Sequence, residues 1–107
     1  MGQQEISQNK AIGIMIRVIS IDQIEPYAII CSLSNGIKRK VEVKPLIENH
    51  LHLDGISSLL HRPEFMKAEI GEMGEIRWKN VIKNSDGESW DYDISPEFIL
   101  HEGLPVG

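Results

Sequence analysis

The side chains best placed for chemistry in this 107-residue chain fall into a few groups. His50-x-His52 with Asp54 is the nearest approach to a metal cluster. Alternate residues of an extended segment share a face, and two imidazoles with a carboxylate suit zinc. No cysteine lies close by and His61 belongs to a separate helical stretch, so a solvated loop is the simpler reading. Asp86, Glu88, Asp91 and Asp93 are interleaved with Trp90 and Tyr92. Such carboxylates perform acid–base work only where one is desolvated in a cleft. Otherwise they form a solvated face or an acidic, aromatic surface for a protein partner. Lys38, Lys40 and Lys44 line up as a strip for phosphate or an acidic peptide, though lysines on exposed strands also deter edge-to-edge pairing. Cys31 sits in an apolar alternation, which predicts a buried and unreactive thiol. No nucleophile elbow, phosphate-binding loop or dinucleotide fingerprint occurs.

Charge narrows the partners. The net charge is −5, against nucleic acid as a default ligand, because phosphate binding needs a positive footprint. The distribution is uneven: residues 1–53 carry six Lys and Arg against five Asp and Glu, whereas residues 54–107 carry five against eleven. A basic strip and an acidic end therefore share one small body. No apolar run approaches the ~20 residues of a membrane span, and the first residues lack the basic and apolar blocks of a secretion signal. With a single cysteine no internal disulfide forms, and a cytoplasmic location is expected.

The elements that must position these groups are short. Residues 1–12 are unpatterned and predict a flexible tail, followed by one α+β domain over residues 13–103. Ile14, Ile16, Val18, Ile19 and Ile21 predict a buried strand, broken at Glu25-Pro26. Tyr27–Leu33 and Ile37–Val43 predict a hairpin. A two-residue Asn35-Gly36 turn would put the two apolar sets on opposite faces, since one residue of slip inverts every side chain. A three-residue loop with Gly36 left-handed pairs Leu33 with Ile37, Ile29 with Val41 and Tyr27 with Val43, giving one apolar face. That register places Arg39 opposite Cys31, either at the rim with its head in water or paired with a carboxylate from the last helix or loop.

Pro45 predicts a short helix carrying Leu46, Ile47 and Leu51, and Asp54 is the expected N-cap of a second with Ile56, Leu59 and Leu60. Pro63-Glu64-Phe65 starts one further turn. Lys67–Glu72 and Glu75–Trp78 predict a second hairpin, with Trp78 inward. Residues 79–89 read as a loop or hairpin tip and Trp90–Ile94 as a strand. The final helix is the best specified, with Ser95 as N-cap, Pro96 pre-set for the first turn, Glu97 at the positive dipole end and Gly103 as its stop. Ile94 and Ile99 occupy the two positions of a hydrophobic staple. The fold class expected is α+β, a small antiparallel sheet of two hairpin units (five to six strands) with two or three short helices, the last at the C-terminus.

Several motifs resemble a bacterial family, domain of unknown function 2442, over about Ile16 to Leu100. They are the Asn35-Gly36 turn, Arg39 in the next strand, Val41-Glu42-Val43-Lys44-Pro45-Leu46-Ile47, Phe65, Gly74-Glu75-Ile76-Arg77-Trp78 and Asp93-Ile94-Ser95-Pro96-Glu97. The family usually has Asp at the place of Glu42, and it joins Trp to Asp by a much shorter link than residues 79–92 here. The resemblance implies a small α+β fold, similar to the N-terminal domain of a nitrosomonad protein of unknown function, and an antitoxin-like or adaptor role beside a small toxin-like protein. The expected function is a non-enzymatic protein-interaction module without a cofactor, with Arg39, Trp90, Asp91, Tyr92 and Asp93 as partner-binding residues. Nucleic acid and membrane are not expected as partners, while a homodimer stays open. The alternative is a metal or small-ligand binder, or an enzyme, using His50, His52 and Asp54 or Asp91 and Asp93.

Overall fold

The computed structural model describes residues 15–106, so the expected tail at residues 1–12 and the Ile14 end of the first expected strand lie outside them. The described residues form an α+β fold with two antiparallel sheets. In chain order the strands are β1 (Val18–Glu25), β2 (Ala28–Leu33), β3 (Lys38–Glu42), β4 (Glu69–Ile70), β5 (Ile76–Lys83), β6 (Ser89–Ile94) and β7 (Leu104–Pro105). The helices are α1 (Lys44–Asn49), α2 (Arg62–Phe65) and α3 (Pro96–Glu102), with a 3-10 turn at Ile56–Leu60. One sheet has the order β1-β2-β3-β7 and the other β4-β5-β6. Their inner faces and the helices enclose a single core, with Ile29, Leu33 and Val41 from the first sheet, Ile76 and Trp78 from the second, and Ile47, Phe65 and Ile99 from the helices.

The same turn recurs three times. Ser34-Asn35-Gly36, Glu72-Met73-Gly74 and Ser85-Asp86-Gly87 are three-residue loops, and in each the glycine has a positive φ, between 77° and 87°. Each is closed by a bond from the glycine N–H to the residue before the loop: Gly36 to Leu33, Gly74 to Gly71 and Gly87 to Asn84. Left-handed backbone at the third position suits glycine and leaves a bulge that turns the chain without disturbing register. The first hairpin accordingly has the expected pairing, with Ile29 opposite Val41, Cys31 opposite Arg39 and the Leu33 N–H bonded to the Ile37 carbonyl.

The first strand departs from expectation. It runs later, Val18–Glu25, and only Val18 is buried, while Ile19 is 62% exposed. Register shifts between Val18 and Ser20 and between Ile21 and Gln23 break its alternation, so β-branched composition gave the strand but not its burial. Leu51 lies beyond α1 and is exposed, because the helix stops at Asn49. Asp54 does not cap the next segment. Gly55 does, at φ 96°, and a Cβ there would sit 2.1 Å from the Val81 carbonyl oxygen. That close approach, with the Lys83 N–H donating to the Asp54 carbonyl at 2.8 Å, gives a tight 3-10 turn in place of an α-helix.

The final helix forms as expected. The Phe98 N–H donates to Ser95 Oγ at 3.1 Å, and Ile94 and Ile99 are both buried. Gly103 ends it with an ordinary negative φ, so its role is space: an added Cβ would lie 2.9 Å from Cβ of Arg39. The chain then returns as β7 to pair with β3, Arg39 opposite Pro105, a strand that sequence patterning does not suggest.

Candidate functional site

Strand β6 positions most of the acidic, aromatic segment. It pairs with β5 on one side, and its other edge has no backbone partner among the described residues. Tyr92 and Ile94 point into the core while Asp91 and Asp93 point out, as a two-residue period requires. Opposite it, β5 is irregular. Trp78 pairs with Tyr92 and Ile82 with Trp90, so residues 79–81 bulge against Asp91 alone. Asn80 adopts a φ of 58° in the bulge, and its N–H donates to Asp91 Oδ1 at 3.1 Å. Asn tolerates this backbone better than most residues, and the aspartate satisfies the N–H the bulge frees. Of residues 79–89, expected as a loop or hairpin tip, 79–83 are therefore strand, 84–88 form the tip and Ser89 begins β6.

A groove of about 280 Å³ lies along the inner side of the β6 edge, lined by Leu46, His50, Tyr92, Asp93, Ile94, Ser95 and Phe98. His50 follows α1, and its Nδ1 lies 2.8 Å from the Leu46 carbonyl oxygen and 3.1 Å from the Tyr92 hydroxyl. A carbonyl only accepts, so Nδ1 carries the proton and donates; in the neutral ring Nε2 is then an acceptor. The ring is edge-on to Tyr92, with centroids 5.9 Å apart. Tyr92 in turn packs on Trp78, Trp78 on Phe65 and Phe65 on Tyr27, with successive centroids 5.3–6.0 Å apart. The Trp78 indole N–H donates to the Phe65 carbonyl at 2.9 Å and Tyr27 donates to the Leu60 carbonyl. An aromatic chain thus runs from the first hairpin to the groove wall and holds that wall in place.

Across the strand lies a second hollow, about 240 Å³, with Met15, Met73 and Pro96 beside the carboxyl-bearing residues Glu75, Asp93 and Glu97. Asp93 has its carboxyl pushed above the ordinary range, first by partial burial and then by the nearby charges of Glu75 and Asp91. Burial, with Asp93 adding to it, also raises the Tyr92 phenol. No cation answers Asp93 among the described residues. Arg77 stands directly opposite it in register, yet its Nε donates to Glu69 at 2.7 Å, and Lys79 also turns to Glu69 at 3.7 Å.

The structure separates several residues that the sequence groups together. Trp90 is 56% exposed and Tyr92 is buried, so they do not form one aromatic surface. Asp91 is engaged by the bulge. Arg39 belongs to the other sheet, where its Nε donates to the Leu100 carbonyl at 3.3 Å and Nη1 to the Lys38 carbonyl at 3.1 Å. It meets a carbonyl near the negative end of α3, not a carboxylate. His50, His52 and Asp54 do not converge: no group of three or more metal-ligating side chains occurs among the described residues. The lysine strip is largely neutralised, Lys40 by Glu25 at 3.2 Å and Lys38 by Asp22 at 3.7 Å. Cys31 is buried, and desolvation pushes its thiol up to about 11.

Leu46 and Phe98 are the groove residues that sequence reading misses. A signal for Phe98 is available: Ile99 takes the buried position of the staple, so an aromatic one residue earlier must face away from the core. No helix of the described residues is long and apolar enough to cross a membrane. No family model matches the chain, and no curated protein or solved structure is significantly similar to it.

Proposed function

We propose that this protein is a non-enzymatic interaction module that takes up an extended segment of a basic partner protein along the open edge of β6. The observation that carries this reading is the edge itself. It is a six-residue strand that alternates outward and inward from Asp91 to Ile94 and has no backbone partner among the described residues, and it is flanked by a carboxylate that lacks a cation. Natural sheets usually blunt such edges with lysine, proline or bulges. Here the bulge is on the inner strand, and the edge strand itself pairs without interruption from Tyr92 to Ile94. The family resemblance points the same way, towards an adaptor or antitoxin-like role.

The test is selection from a random display library of twelve-residue peptides on the immobilised protein, followed by amide hydrogen exchange of each complex. Selected peptides are expected to slow exchange at residues 90–94 and to lose affinity in high salt and in Asp93→Lys. Peptides that bind while leaving those amides unprotected would remove the reading.

A further inference from the structure

The open edge also specifies the chemistry of what it binds, and this step rests on strand addition at β6. We infer that the incoming segment alternates apolar and basic residues, with apolar side chains seated beside Tyr92 and Ile94 in the His50–Phe98 groove and cations beside Asp93 on the opposite face.

The argument is one of register. A strand added to a sheet continues its pleat, so its side chains fall alternately on the two faces and pair with the neighbours already there. On one face those neighbours are Tyr92 and Ile94, at the wall of a groove completed by Leu46, His50 and Phe98 and touched also by Ser95 and by Asp93, which borders both hollows. Phe98 is a large apolar side chain left partly exposed there, at 36%. Burying apolar surface against it is favourable, whereas a charged group would lose hydration with little in return. On the other face the neighbour is Asp93, crowded by Glu75 and Asp91, while Arg77 and Lys79 are held by Glu69. A cation arriving there relieves repulsion that the fold leaves uncompensated. The methionines Met15 and Met73 beside those carboxyl groups offer an apolar bed for the stem of a Lys or Arg side chain.

The same geometry disfavours a second copy of this chain as occupant. Pairing β6 with itself would bring the aspartates of two Asp-Tyr-Asp segments together, and like charges on neighbouring strands are destabilising. A uniformly basic segment would satisfy Asp93 but place charge in the groove.

The test uses two synthetic peptides of identical composition, acetyl-Lys-Val-Lys-Phe-Lys-Val-amide and its block isomer acetyl-Lys-Lys-Lys-Val-Phe-Val-amide, titrated into the protein and followed by NMR. The alternating peptide is expected to bind at least roughly tenfold more tightly and to shift the ring protons of Tyr92 and Phe98. Phe98→Ala should weaken it while preserving the salt dependence, and Asp93→Asn should weaken it while reducing the salt dependence. Equal affinity for the two isomers would overturn the inference, as would shifts confined to residues outside the groove. If library-selected peptides protect the β6 amides but show some other pattern, strand addition stands and the alternation fails. If none protects those amides, strand addition itself fails.

Discussion

The two sheets treat their outer edges and their charges in opposite ways. In the first sheet the edge strand β1 is interrupted by two register shifts, and its carboxylates have partners. Asp22 accepts from Ser20 at 2.7 Å and Ser32 at 2.6 Å, and Glu25 meets Lys40. In the second sheet the irregularity is displaced to the central strand, the edge strand β6 stays regular, and Asp93 stands among other negative charges. The glycine turn occurs in both sheets, between β2 and β3 in the first and at both turns of the second, although β1 and β2 turn at Pro26-Tyr27. The contrast lies in the bulge position and charge placement, not in the glycine turns the two sheets share. One sheet pairs the charges along its irregular edge strand; the other keeps a regular edge strand beside a carboxylate that no cation meets among the described residues.

If the second sheet is fixed as firmly as the first, its aromatic interior must be worth as much as the aliphatic one. Trp78→Ala should cost about 3–5 kcal/mol from lost packing, since Trp78 is almost fully buried between Phe65 and Tyr92 and its loss leaves the Phe65 carbonyl with only the longer bond from the Ala68 N–H, at 3.3 Å. Chemical denaturation measures this directly. A loss below about 2 kcal/mol would mean that the groove wall is loosely held. The next effect locates the seam between the sheets. The Val18 N–H donates to the Gly74 carbonyl at 2.9 Å, and a Cβ on Gly74 would lie 2.6 Å from Cβ of Arg17. Gly36 has the same kind of φ with nothing near it. Gly36→Ala should cost about 1–2 kcal/mol for left-handed backbone alone. Gly74→Ala should cost about 2–5 kcal/mol, because overpacking adds to that. Equal losses would show that this turn does not lock the sheets together.

What could be read from sequence follows the range of the interaction. The first hairpin's register was legible because Ile29, Cys31 and Val41 can share a face in only one loop length. The α3 start was legible because Ser95, Pro96 and the Ile94–Ile99 staple act within one turn. The β5 bulge was not, because it depends on Asn80 meeting Asp91 and on Gly55 lying against Val81 from a distant segment. Without that bulge, residues 79–83 look like loop and the acidic residues look like one patch. The groove was hidden for the same reason. His50 reads as a loop histidine until the fold brings Tyr92, 42 positions away, to 3.1 Å.

The smallest effect is a difference of sign. The hydrogen bonds from Ser32 and Ser20, helped by Lys38, lower the pKa of Asp22, so its ionised form favours the folded state. That contribution is present above the ordinary carboxyl pKa of about 3.9 and is lost as pH falls through the lower folded value. Asp93 is raised by partial burial and by Glu75 and Asp91, so its contribution is present below the ordinary value and is lost as pH rises through the higher folded one. At pH 7 Asp22→Asn should therefore lower the melting temperature slightly and Asp93→Asn should raise it slightly. On acidification the Asp93→Asn difference should close at the ordinary carboxyl pKa, and the Asp22→Asn difference only below it. Thermal melts of the two variants and the parent from pH 2 to pH 7 decide the matter. If Asp93→Asn destabilises at neutral pH, the carboxylate already has a partner within the fold and the contrast between the two edges is lost. If it stabilises, the open edge keeps a charge that costs the free protein stability and that a cationic partner can neutralise.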